Sequence, residues 1–261
     1  MPSEITLFTL LLSNSMVIRN IQAKSILSVS KVYDYVVNPY VGCQFGCLYC
    51  YARYMKKFTG HKEPWGTFVD SKDNAAVLLQ KEIAKKKKGL VWISGVCDPY
   101  QPLEKKYAIT RACLTILIEN DWPVIIQTKS NLVLRDVDII KNASSCDVGL
   151  SITTANDSIR KLFEPQSTAI ADRIDAIKQL KKHGIRTYVM IAPMLPGCEN
   201  LIDMLAGSVD YVYVDKMNYH YADSVYKKYA LEQYCDNSYF FSASHEIAYR
   251  CKKEGIACSI V

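Results

Sequence analysis

Three cysteines, Cys43, Cys47 and Cys50, lie close together in the stretch NPYVGCQFGCLYCYAR, residues 38–53, with three residues and then two between them. Asn38-Pro39 opens the loop, and Gly42 and Gly46 can bend it. Thiolates so near one another can hold a single inorganic centre. An iron-sulfur cube held by three cysteines keeps one iron without a protein ligand, open to chelation by an outside molecule. A structural zinc ion takes four closed ligands, usually as two pairs, and no Cys or His pair of matching spacing follows downstream. A disulfide framework fits poorly with a long, Lys-rich chain that shows no clear secretory signal and scatters its other cysteines. The spacing therefore favours iron and sulfide over zinc.

Such a centre needs a frame. The chain has 261 residues, 49% hydrophobic and 22% charged, which suits one globular domain with a sizeable core. A formal net charge of +6 mildly favours an acidic partner such as nucleic acid, although a solvated basic surface gives the same sum. The cysteines outside the loop need no shared purpose, because a buried free thiol packs as a small apolar group. A reducing cytoplasm is the expected compartment. Ile5 to Leu12 is apolar but too short to cross a bilayer, and lacks the basic start of a signal peptide. Met16-Val17 reads as a plausible start, so residues 1–15 are expected to be spurious or disordered, ahead of one domain at 16–261.

From Tyr33 the chain alternates short apolar runs with helical patterns. The spacing predicts strands at Tyr33 to Val37, Leu90 to Ser94, Val124 to Thr128, Val148 to Ile152, Thr187 to Ile191 and Tyr211 to Val214. Each reads as a continuous run, as in parallel strands covered on both faces. Helices are expected near Asn74 to Lys87, Thr110 to Glu119, Leu132 to Asn142, Ala169 to Lys182, Asn200 to Ala206 and Ser242 to Lys253. The fold class is α/β, a single domain of parallel strands that suits a partial (β/α)6 TIM-type barrel, with doubly wound order as the alternative. Reactive residues of a barrel lie beyond the carboxyl ends of its strands. There stand the polar turn at 94–104, Thr128-Lys129-Ser130 and Ser151-Ile152-Thr153. A lysine in that position can neutralise the carboxylate of a bound amino acid, and nearby hydroxyls can hydrogen-bond the rest of the ligand. An exposed lysine that does neither is the ordinary alternative.

The cysteine spacing, with Tyr49 just before the last cysteine, resembles the signature of radical S-adenosylmethionine (SAM) enzymes. The fuller wording of residues 38–53, with AKSIL at 23–27, resembles a narrower branch, the spore photoproduct lyase-like family of DNA repair photolyases. Further motifs follow in that family's order: DPYQP with Glu104, Thr110-Arg111, TKS at 128–130, Arg135-Asp136, Ser151 to Thr153, Glu164-Pro165, Arg173, Ala192-Pro193 and Pro196-Gly197. The resemblance implies a 4Fe-4S cluster on Cys43, Cys47 and Cys50, with SAM chelating the open iron. It also implies reductive cleavage of SAM to methionine and a 5'-deoxyadenosyl radical, driven by an external one-electron reductant of the flavodoxin or ferredoxin type. A partial barrel is implied as well, and a DNA lesion is among the implied substrates.

By the same resemblance, Lys129 and Ser151 contact the methionine and ribose portions of SAM, while the Ala192 backbone and Tyr49 lie beside its adenine. Arg173 joins the cofactor-binding set as a partner for a carboxylate, with a surface salt bridge an equally fair reading. The family carries a cysteine near Cys97 that returns a hydrogen atom to the product, standing a little further before the matching Asp; here Cys97 directly precedes Asp98. Tyr51 resembles a tyrosine of the radical relay, against simple aromatic packing under the loop. His220 reads as an ordinary loop histidine. A second cluster from Cys198, Cys235, Cys251 and Cys258 would need wide, irregular spacings. An iron-sulfur electron-transfer or iron-sensing protein that never cleaves SAM is the second hypothesis. It has no use for Lys129, Ser151 or a cavity.

Overall fold

A computed structural model describes residues 16–261; the expectation for residues 1–15 lies outside the described residues. The strands in chain order are β1 (Val17–Ile21), β2 (Leu27–Val29), β3 (Tyr35–Val37), β4 (Tyr40–Val41), β5 (Phe68–Lys72) and β6 (Val91–Ile93). Then come β7 (Val124–Thr128), β8 (Cys146–Ser151), β9 (Arg186–Ile191), β10 (Tyr211–Val214) and β11 (Ala257–Ile260). The main sheet has the order β11-β10-β9-β8-β7-β6-β3-β2, parallel throughout except for antiparallel β2. From β3 through β6 to β11 each new strand adds beside the last, with no reversal. That excludes the doubly wound alternative, whose order reverses at a switch point, and makes a partial barrel.

The strands are not the two-sided apolar runs expected from the sequence. One face is apolar throughout: Val91, Ile93, Ile126, Val148, Leu150, Val189, Ile191, Val212 and Val214 are fully buried in one core. Helices cover this face, including Ile170–Lys182, which buries Ile170, Ile174, Ile177 and Leu180 at helical spacing. The alternate residues, Trp92, Gln127, Gly149, Ser151, Tyr188 and Met190, face the inside of the curl. Gly149 is needed there, because a Cβ on it would stand 2.1 Å from the Tyr188 ring. Tyr188 fills that space, stacks on Tyr211 at 5.0 Å, and donates its hydroxyl to the Ile126 carbonyl at 3.1 Å. The deeper half of the curl is thus filled by aromatics, and cavities open towards the carboxyl ends.

Helix boundaries follow the sequence closely at Ile109–Glu119 and Ile170–Lys182. The stretch expected as one helix at Leu132 to Asn142 is instead a 3-10 turn, Asn131–Asp136, leading into a short helix, Val137–Ile140. Ser130 caps that turn by accepting from Leu132 N. A second, small sheet of order β1-β5-β4 lies beside the barrel. Its β4 runs directly into the cysteine loop, which is its purpose for the site. Among the described residues no helix is long and apolar enough to cross a membrane.

Candidate cluster and cofactor site

Strand pairing sets the site. The pairs Val37 with Ile93, Ile93 with Ile126, Thr128 with Leu150, Ser151 with Met190, and Ile191 with Val214 bring the carboxyl ends level. The segments that follow, at Asn38, Ser94, Lys129, Ile152, Ala192 and Asp215, therefore converge on one rim.

The cysteine loop is held over that rim by its own backbone. Gly42 has φ +87°, and a Cβ there would stand 2.4 Å from the Phe68 carbonyl oxygen of β5, so only glycine lets the loop leave β4 at this angle. The DPYQP segment supplies the other supports. Gln101 accepts from Gln44 N at 2.9 Å and donates to the Gly42 carbonyl at 3.3 Å, while Gln44 accepts from Leu103 N. Asp98 ties this segment to β7, accepting from Thr128 Oγ1 at 2.6 Å and Lys129 N at 2.7 Å. Glu104, fully buried, accepts from Tyr40, Thr110 N, Arg111 N and Arg135. Many of the motif residues are thus the frame of the site and not its chemistry.

Cys43, Cys47 and Cys50 all line one cavity of about 120 Å³, together with Tyr51, Cys97, Asp98, Gln127, Lys129 and Ser151. A neighbouring cavity of about 290 Å³ shares Cys47, Cys50, Tyr51, Trp92, Gln127 and Lys129, and adds Tyr49, Met190, Ala192, Pro193 and the segment 215–219. Burial pushes all three loop thiols above the ordinary cysteine value. Lys129 draws Cys47 and Cys50 back down. Among the described residues no three His, Cys, Asp or Glu side chains converge on a single ion position. Three free thiols spread around a cavity suit a polynuclear iron-sulfur centre better than one zinc ion, and thiolate is the ligand such a centre takes.

Lys129 reaches both cavities. Burial lowers its pKa, but Glu164 and Cys47 outweigh that and hold it above the ordinary lysine value, so the ammonium stays charged. Its Nζ lies 4.0 Å from Glu164 Oε1 and 5.7 Å over the Tyr49 ring. Glu164 is fully buried and accepts from Tyr49 Oη, Thr153 Oγ1 at 3.0 Å, Ser167 Oγ at 3.1 Å and Arg173 Nη2 at 2.6 Å. Burial pushes Glu164 upward, yet the charges of Arg173 and Lys129 hold it down to about 2.

Arg173 is therefore corrected. Its side chain is fully buried and lines neither cavity. Its nitrogens donate to the Thr168 and Ser151 carbonyls, to Ser167 Oγ and to Glu164. The carboxylate it pairs with is the chain's own, because position 173 lies on the inward face of its helix. Ser151 and Lys129 do share the cavity of the three cysteines, and Tyr49 and Ala192 line the larger one.

Cys97 sits on the smaller cavity, with its thiol 3.4 Å from Ser94 Oγ and donating to the Tyr40 carbonyl at 3.4 Å. Burial pushes its pKa up to about 11. Tyr51 donates to the Gly95 carbonyl and stands at the mouth, part of a row: Tyr51 to Tyr219 at 6.4 Å, Tyr219 to Tyr221 at 5.6 Å, and the Arg53 guanidinium 4.5 Å over Tyr221. It is an edge of the opening, not packing under the loop. His220 is exposed, 3.2 Å from Asp223. The residues missed by the sequence reading are Gln127, Trp92 and Met190. Their signal was period-two alternation, and a lone glutamine in the apolar run VIIQT was the visible part of it.

Residues 37–204, more than half of the chain, match the family described as the radical SAM superfamily. An uncharacterized protein of Methanocaldococcus jannaschii is 40% identical over 186 residues, covering 70% of this chain and 69% of that one. The radical SAM Nalpha-GlyT isomerase of Pseudomonas phage M6 is 25% identical over 165 residues, 62% of this chain and 33% of the phage protein. Beyond the archaeal relative, the chain spans about half the length or less of several curated relatives it matches. In fold it resembles a spore photoproduct lyase variant with bound AdoMet and dinucleoside spore photoproduct. That match has a TM-score of 0.69 at 12% identity, over 94% of this chain and 81% of the other.

Proposed function

The chain belongs to the radical SAM superfamily, and on that premise we propose that it holds a 4Fe-4S cluster at Cys43, Cys47 and Cys50, binds SAM beside it, and abstracts hydrogen from a nucleic-acid substrate. One observation carries the reading: the three cysteines, Lys129 and Ser151 line a single cavity at the carboxyl ends of the strands. When bound, the cluster and SAM supply the one-electron cleavage that yields methionine and a 5'-deoxyadenosyl radical.

The chain's own residues bind, orient and shield. The Lys129 ammonium would neutralise the carboxylate of the SAM methionine, and Ser151, already accepting from Gln127 at 3.1 Å, would offer a hydroxyl to polar groups of the cofactor. Tyr49 and Ala192 would form the wall for the adenine. Trp92, Met190 and Met217 keep the larger cavity apolar, which disfavours water there. Cys97 keeps its S–H at neutral pH and lines the smaller cavity with the three loop cysteines, so it would be the residue that returns a hydrogen atom to the product.

For the substrate, the half-exposed row of Tyr51, Tyr219 and Tyr221 offers ring faces on which bases stack, and Arg53, Lys56 and Lys57 lie on the adjoining 3-10 helix, Tyr51–Phe58, for phosphates. The dinucleoside held by the spore photoproduct lyase structure supports this class. The electron would come from an external one-electron reductant of the flavodoxin or ferredoxin type.

The test is anaerobic reconstitution, reduction with dithionite in the presence of SAM, and chromatography for 5'-deoxyadenosine. We expect its formation, and stimulation by damaged over undamaged DNA. No 5'-deoxyadenosine from a fully loaded, reducible cluster would favour the electron-transfer alternative.

A further inference from the structure

Six side chains, Cys47, Cys50, Tyr51, Trp92, Gln127 and Lys129, line both cavities and so mark the junction between them. With the methionine end of SAM beside the cysteines and Lys129, and its adenine against Tyr49 and Ala192, the sugar between those ends must cross this junction. Four of the six are otherwise engaged. The two cysteines belong to the cluster, Tyr51 donates to the Gly95 carbonyl, and Lys129 faces Glu164. Gln127 follows the apolar run Val124 to Ile126 on β7, and its register partner on β8 is Gly149, which offers no side chain. Its Nε2 reaches diagonally to Ser151 Oγ, 3.1 Å away. Ser151 is buried, and its backbone is fixed from behind, where its carbonyl accepts from Arg173 at 2.8 Å. A hydroxyl has one hydrogen and two lone pairs, and a carboxamide has an oxygen as well as an NH2 group. With the amide nitrogen donating to Ser151 Oγ, the Ser151 hydrogen and Gln127 Oε1 are both left over. Among the described residues this is the one hydrogen bond that either side chain makes. The pair thus presents a donor and an acceptor side by side. A carboxylate cannot use both, having no proton to give to Gln127 Oε1. A sugar hydroxyl can.

We propose that Gln127 is a further cofactor-binding residue: together with Ser151 it holds a ribose hydroxyl of SAM at the junction of the two cavities, and leaves the carboxylate to Lys129. This rests on the reading that the chain binds SAM beside a cluster at the three cysteines. Gln127 acts twice. Its Nε2 occupies a lone pair of Ser151 Oγ, so that the Ser151 hydrogen is free for the ligand, and its Oε1 takes the ligand's own hydrogen. A ligand lacking that hydroxyl leaves both groups unpaired in a confined space, and a site built to hydrogen-bond a hydroxyl rejects the analogue without it for this reason.

The experiment measures binding to the reconstituted full chain, without turnover. Equilibrium dialysis of SAM against loaded wild type comes first. A chain that loads no cluster, or loads one and binds no SAM, sinks the underlying reading and this assignment with it; every later outcome bears on Gln127 alone. SAM is then compared with its analogues lacking the ribose 2'- or 3'-hydroxyl. Wild type should bind one of the two analogues about 10-fold or more weakly than SAM. Gln127→Met, unbranched and of similar length, should bind SAM more weakly and lose most of that ratio. A merely structural role would weaken all three ligands alike and leave the ratio where it was. Equal binding of SAM and both analogues by wild type, or an undiminished ratio in Gln127→Met, overturns the proposal. Should that variant fail to load, Gln127→Asn, which keeps the carboxamide but draws it back by one methylene, is judged by the same ratio.

Discussion

Lys129 shows how one residue's surroundings select its task. A lysine at a strand end is ordinarily a solvated cation, but here the ammonium is buried beside Glu164, and Glu164 is already matched by Arg173. With Arg173 already matched to Glu164 from behind the wall, the Lys129 ammonium is left to meet an incoming carboxylate in the cavity. Replacing Lys129 by Met removes a charge-assisted hydrogen bond, a loss of about 1.5–3 kcal/mol, or roughly 10- to 100-fold in affinity. Isothermal calorimetry of SAM against loaded Lys129→Met protein should show that weakening; equal affinity would take Lys129 out of the cofactor set. Arg173 carries the opposite lesson. Both residues are cations in motifs, and sequence alone assigns both to the cofactor. One ends in the cavity and the other behind its wall, because a helix position and a strand-end position point differently.

Elements are stitched together by buried charge. Arg173 on its helix, Ser151 at the end of β8, Glu164 after the helix Asp157–Phe163 and Tyr49 of the cysteine loop form one hydrogen-bonded group. Removing one partner of such a group leaves an uncompensated charge or unpaired donors, at a cost of about 3–5 kcal/mol. The pH dependence follows from Glu164, whose pKa falls from an ordinary 4.5 to about 2 on folding. The folded state therefore prefers the ionised form, so this stabilisation is complete above 4.5 and is lost as pH falls towards 2. In urea titrations the stability gap between wild type and Glu164→Gln should be widest near neutral pH and narrow steadily over that acid range. Parallel curves would show that Glu164 is not held ionised. None of this network is visible from strand and helix patterns, since Tyr49 and Glu164 are 115 positions apart.

Across the whole molecule, the basic surplus becomes meaningful only where it gathers. Arg53 lies over the tyrosine row at the cavity mouth, and Lys56 and Lys57 follow it on the same 3-10 helix. If these three meet phosphates, the logarithm of DNA affinity should fall with the logarithm of salt at a slope of about −3. Their combined replacement by alanine should flatten it in fluorescence anisotropy, and a salt-independent affinity would remove nucleic acid from this face. The sequence by itself determined that three cysteines share one loop, because spacing within a loop is local. It determined the six parallel strands too, because apolar runs and helical periods recur at short range. Only the tertiary structure decided which face of each strand looks inward, so that Gln127, Trp92 and Met190 line the site while Arg173 supports it from behind. Register between distant strands and the approach of one loop to another are properties of contact, and contact over such separations leaves no local pattern to read.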